Sequence, residues 1–143
     1  IHEHPPLRTV KESKALRGKI DGAHSKNLFL RDKKKNNYLI TAKENQKIDL
    51  KNLEKNLSTG RLSFGSPERL YEFLGVKPGS LSPFSLINDP HNKVLFYIDK
   101  NLLSEKVLNF HPLINNLTIS IKLEDFQLFL NSIKRLVHKL EFK

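Results

Sequence analysis

At 143 residues, 38% hydrophobic and 28% charged, the chain suits one compact soluble domain that can bury a core without covalent staples. It has no cysteine, which excludes disulfides, thiolate zinc sites and cysteine nucleophiles, and no apolar run approaches the roughly 18 residues of a membrane helix. The net charge of +10 favours polyanionic partners, a nucleic-acid backbone first among them, although a lysine- and asparagine-rich composition alone also gives a solvated basic surface.

The chain opens on Ile1 and contains no methionine, so a truncated N-terminus is expected. The first ten residues lack the pattern of a signal peptide, and a cytoplasmic location is expected. Pro5-Pro6 favours extended chain, and Thr9 with Glu12 has capping-box spacing for a short helix ending near Gly18. SKNLFLRD and NYLITAK are apolar runs separated by Lys33-Lys34-Lys35-Asn36-Asn37, which predicts a hairpin with a charged turn. Asp49 is placed to cap a helix over LKNLEKNL, where Leu50, Leu53 and Leu57 share a face. Ser66-Pro67 supplies N-cap and first turn for ERLYEFL, closed by Gly75. KPGSLSPFSLIND is rich in Pro, Gly and Ser and reads as a shaped loop. KVLFYID reads as a strand buried on both faces, and Leu117, Ile119 and Ile121 alternate as another strand. EDFQLFLNSIKRLVHKL has Phe126, Phe129, Leu130, Ile133 and Val137 at helical spacing, which predicts one closing helix. Strands interleaved unevenly with short helices predict a single mixed α+β domain with a mixed, mainly antiparallel sheet. No glycine-rich phosphate loop is present.

None of the six histidines makes an H-x-x-x-H pair, so neither a metal nor a cofactor is predicted. No G-x-S-x-G elbow marks a serine nucleophile. Asp89 and Asp99 read as turn caps. Three polar clusters stand out, each with a bland alternative. His24-Ser25-Lys26-Asn27 puts a lysine at the mouth of a strand, able to neutralise a phosphate or simply to be solvated. Gly79-Ser80-Leu81-Ser82-Pro83 can bring backbone N–H groups close to a ligand, or merely connect two elements. Asn109-Phe110-His111-Pro112-Leu113 holds a histidine in extended backbone before proline, either at a site or packed in the core.

Taken in order, EHPPLRTV, GAHSKNLFLRDKK, RLYEFLGVKPGSLSPFSLIND and NFHPLINNLTISI resemble the YbaK/prolyl-tRNA-synthetase-associated editing-domain family, over nearly the whole chain and most like its freestanding prolyl-tRNA deacylases. The resemblance implies hydrolysis of the ester joining a wrong amino acid, alanine foremost, to the terminal adenosine of the proline tRNA. It implies Lys26 as the essential lysine, with Asn27, Gly79, Ser80, Pro83 and His111 contacting substrate. Lys33, Lys34 and Lys35 would touch the tRNA backbone. The implied partners are the acceptor end of a mischarged tRNA and prolyl-tRNA synthetase, with a monomer favoured and no membrane association. Asn116-Leu117 departs from the family, which usually has a small hydroxyl residue and alanine there, at the far wall of the pocket. A deacylase for serine, threonine or cysteine esters and a non-catalytic tRNA-binding module are the rival readings.

Overall fold

The computed structural model describes residues 2–3, 22–110 and 117–142. The helix expected from Thr9 to Gly18 lies outside them. A two-residue strand, β1 (His2–Glu3), comes first. The runs flanking the lysine turn form the predicted hairpin, with β2 (Ala23–Arg31) antiparallel to β3 (Asn37–Lys43) and Phe29 opposite Leu39. Asp49 starts α1 (Leu50–Leu57) by accepting the Lys51 N–H on its carboxylate, and left-handed Ser58 ends it. After β4 (Ser63–Phe64), the Ser66 hydroxyl accepts the Arg69 N–H to open α2 (Pro67–Leu74), which Gly75 closes. β5 (Val94–Asp99), β6 (Val107–Phe110), β7 (Leu117–Lys122), α3 (Leu123–Ser132) and β8 (Val137–Leu140) complete the chain.

The strands form one mixed sheet in the order β1-β7-β6-β2-β3-β5-β8, with β4 added to β2. β1–β7, β6–β7, β2–β3 and β2–β4 pair antiparallel, while β2–β6, β3–β5 and β5–β8 pair parallel. Helices cover both faces. Phe29, Leu39, Phe96 and Phe110 pack with Leu70 and Leu74 of α2 and with Phe126 and Leu130 of α3 on one face. Leu30, Tyr38 and Ile40 pack with Leu53 of α1 on the other. This is why KVLFYID reads as apolar throughout: Phe96 faces the first cluster, while Leu95 and Tyr97 face the second. Among the described residues, no helix is long and apolar enough to cross a membrane.

Two expectations are corrected. The closing helix does not run through Val137. It stops at Ser132, Lys134 turns left-handed at φ 53°, and the N–H of Arg135 returns to the Leu130 carbonyl. The chain then enters the sheet as β8, with Val137 beside Phe96 and His138 stacked on Tyr97. Local helical period loses to a tertiary demand. Pairing with β5 satisfies that strand's outer edge, and the intervening Arg135 is drawn inward by the Asp89 carboxylate at 3.2 Å. The second correction concerns KPGSLSPFSLIND. Its second half, Pro83–Asn88, is a 3₁₀ helix with a reciprocal cap, in which the Ser82 hydroxyl accepts the Phe84 N–H and the Ser82 N–H donates to the Ser85 hydroxyl.

Candidate functional site

The candidate site forms along the middle of β2, between its contacts with β6 and with β4. β6 pairs with β2 only at Ala23 and His24, and β4 only at Leu30 and Arg31. Between these contacts, residues 25–28 have β3 on one edge and no ladder partner among the described residues on the other. Lys26 and Asn27 occupy this stretch. The two-residue period of a strand sends them to opposite faces of the sheet. Asn27 shares a face with Phe29, on the side of α2 and the 3₁₀ helix, and Lys26 shares a face with Leu28 and Leu30, on the side of α1.

Each is held by backbone from a neighbouring loop. The Lys26 ammonium donates to the Gln46 carbonyl, in the connection between β3 and α1. An ammonium has three donors, so this contact sets the direction of the side chain while keeping its charge. The Asn27 amide donates to the Leu81 carbonyl at 3.2 Å, and its oxygen accepts the Thr41 hydroxyl at 2.6 Å. The structure therefore brings Asn27 together with the Gly79–Pro83 loop through one direct hydrogen bond.

That loop is built to hold its shape. Gly79 sits at φ 90°, a region that strains residues carrying a Cβ. The Ser80 N–H closes a turn on the Lys77 carbonyl. Pro83 starts the 3₁₀ helix, and Phe84 anchors it with ring contacts to Phe110, Phe126 and Phe129. Behind it, the Arg135 guanidinium donates to the carbonyls of Leu86, Asp89 and Val94. His111, which follows the last residue of β6 in sequence, lies outside the described residues.

Lys33, Lys34 and Lys35 form the β2–β3 turn, away from Lys26. At ~3.3 Å per residue, the five steps from Lys26 to Arg31 already span about 17 Å. The turn is braced by Asp32, whose carboxylate accepts the Asn36 backbone and side-chain N–H groups and the Tyr38 hydroxyl, each at 2.9 Å. Burial pushes the Asp32 carboxyl up, but hydrogen bonds from Asn36, Tyr38 and the Lys34 backbone hold it below the usual carboxylate value. Burial and the bond to Asp32 push the Tyr38 phenol up to about 12. Arg69 of α2 adds a bond to the Lys35 carbonyl at 2.7 Å.

Sequence reasoning missed Thr41 and the pairing of Asn109. Thr41 is fully buried in β3, on the face of Leu39, and the signal was a hydroxyl residue at a core-facing register of an otherwise apolar strand. Asn109 fixes the end of β6 to β2 and β7. Its carbonyl accepts the Ser25 hydroxyl at 3.0 Å, and its side-chain oxygen accepts the Ser120 hydroxyl. Its amide leaves no room beside Gly22, where an added Cβ would lie 2.7 Å from the Asn109 nitrogen.

Residues 4–129 match the model of the aminoacyl-tRNA editing domain. The chain is 37% identical to the prolyl-tRNA editing protein ProX of Acetoanaerobium sticklandii, over 87% of this chain and 77% of that one. It is 40% identical to the prolyl-tRNA synthetase associated domain-containing protein 1 of Mus musculus, over 92% and 80% of the two chains. The solved structure of a candidate trans-editing enzyme for prolyl-tRNA synthetase shares the fold, with a TM-score of 0.65 at 20% identity over 96% of this chain and 84% of that one. A hypothetical protein, APE2540, shares it at a TM-score of 0.69 and 18% identity, over 95% and 85%. Sequence and fold agree: the chain belongs to the aminoacyl-tRNA editing domain family.

Proposed function

We propose that the protein is a trans-editing deacylase that hydrolyses the aminoacyl ester of mischarged tRNA(Pro), with alanine as the amino acid removed. The observation that carries this reading is the hydrogen bond from Asn27 to the Gly79–Pro83 loop, next to Lys26 on β2, in a chain of the editing family. Two motifs more than fifty residues apart in sequence meet at one place on the strand.

In this reading the terminal adenosine reaches the middle of β2 and meets Lys26 on one side and Asn27 on the other. An aminoacyl ester is already activated, so the work lies in placing a water and stabilising the oxyanion. Ser80 and Ser82 N–H groups are engaged within the loop, and in this reading the Gly79 and Leu81 N–H groups serve as donors to the ester. Water attacks the carbonyl carbon, the bond to the ribose oxygen breaks, and that oxygen leaves with a proton as the free hydroxyl. The substrate's neighbouring ribose hydroxyl orients the water. The Lys26 ammonium sits against the terminal phosphate or ribose, and Asn27 and His111 line the amino-acid pocket. Selectivity is by size, because a missing methylene is worth only ~1–3 kcal/mol in a synthetic site, so a second pocket too small for the pyrrolidine ring spares the correct product. The protein works as a monomer, alongside prolyl-tRNA synthetase in the cytoplasm.

The test is a deacylation panel on tRNA(Pro) charged with alanine, serine, threonine, cysteine and proline. Wild type should clear the alanine ester fastest and spare the proline ester, and Lys26→Ala should lose about 100-fold or more in rate with an unchanged melting temperature. Faster loss of another ester would overturn the alanine assignment. A Lys26→Ala variant near wild-type rate would remove Lys26 from the mechanism.

A further inference from the structure

The Lys26–Asn27 stretch of β2 accounts for the terminal adenosine but not for the rest of the RNA, and the lysine turn lies at the far end of the hairpin. A nearer basic surface exists on the other side of Gln46. The residue whose carbonyl holds Lys26 also lines a groove of about 700 Å³, with Lys47, Asn52, Lys55, Asn56 and Phe142 among its walls. Lys47 and Lys55 are exposed, as is Lys51 one helical turn before Lys55. Two acidic side chains there, Asp49 and Glu54, are engaged by backbone. Asp49 accepts the Lys51 N–H at 3.0 Å as the cap of α1, and Glu54 accepts the Leu62 N–H at 2.8 Å. Asn56 ties α1 to the C-terminal segment by donating to the Glu141 carbonyl at 2.8 Å. Phe142 packs against the second core cluster and stays half-buried at the groove wall.

We propose that this groove docks the RNA backbone leading into the site, with Lys47 and Lys55 of its walls, and Lys51 outside them, on phosphates and the Asn52 and Asn56 amides on ribose hydroxyls. The proposal rests on the deacylase reading for the identity of the RNA, and on its own observations for the surface. Lysines on phosphates give affinity that falls steeply with salt, and amides on 2′-hydroxyls separate RNA from DNA. Continuity with Gln46 gives the geometry: a strand lying in the groove delivers its end to the carbonyl that holds Lys26.

The experiment measures binding of uncharged tRNA(Pro) transcript across a salt series, for wild type, Lys47→Gln/Lys55→Gln, and Lys33→Gln/Lys34→Gln/Lys35→Gln. All substituted side chains are exposed, and a melting curve checks that each variant is folded. The groove variant should bind about 10-fold more weakly, with the log–log salt slope shallower by about 0.7–0.9 for each phosphate that is no longer neutralised. The turn variant should lose less. Wild-type affinity in the groove variant, loss confined to the turn variant, or equal affinity for a DNA duplex of the same length would each overturn the dock. A protein that binds tRNA through the groove yet cleaves no aminoacyl ester would overturn the deacylase reading and leave the dock standing.

Discussion

At Thr41 a hydroxyl occupies a fully buried register of β3, on the face of Leu39 and directly opposite Asn27 of β2. Its bond to the Asn27 oxygen decides which way the amide faces, because an amide offers an acceptor on one side and donors on the other. With the oxygen taken by Thr41, the nitrogen is left to face Leu81. Thr41 is thus a positioning residue for Asn27. Thr41→Val keeps the shape and removes the donor, and should lower deacylation of Ala-tRNA(Pro) about 10-fold while costing about 1 kcal/mol of stability. Thr41→Ser should restore the rate. Adding Thr41→Val to Asn27→Ala should cost little further, since both act on the same amide. Additive losses in that cycle would show that Thr41 acts by another route.

The segment from Gly79 to Asn88 works as one element, half turn and half 3₁₀ helix. Its rigidity comes from the Ser82–Ser85 cap on one side and Phe84 on the other. Ser82→Ala removes the acceptor of the Phe84 N–H and should cost about 1 kcal/mol in thermal or denaturant unfolding. The loss of deacylation rate should exceed what that cost explains, because the loop that presents Gly79 and Leu81 loosens. Elements defined by short-range chemistry were legible in the sequence: the hairpin from its lysine turn, α1 from Asp49, α2 from Ser66-Pro67 and Gly75. Elements decided by distant partners were not. Ile133 and Val137 have helical spacing, and only the outer edge of β5 turns Val137 into strand. The site was legible as a set of motifs but not as a geometry. Nothing local announces that the Gln46 carbonyl meets Lys26 or that the Leu81 carbonyl meets Asn27.

Across the molecule, Arg135 ties the late chain to the site. Its buried guanidinium meets the Asp89 carboxylate and three carbonyls, joining the end of α3 to the 3₁₀ helix and β5. Arg135→Met leaves the Asp89 charge buried without that partner and should destabilise the fold by about 3–5 kcal/mol, read from chemical denaturation. Asp89 also accepts the N–H groups of Lys93 and Val94, which keeps it from being a simple ion-pair partner. With β8 paired to β5 and Arg135 bonded to the carbonyls of Leu86 and Asp89, the last strand cannot peel from the sheet without pulling on the 3₁₀ helix. The C-terminal strand and the segment around Asn88 should therefore open together, read as matched amide hydrogen-exchange rates.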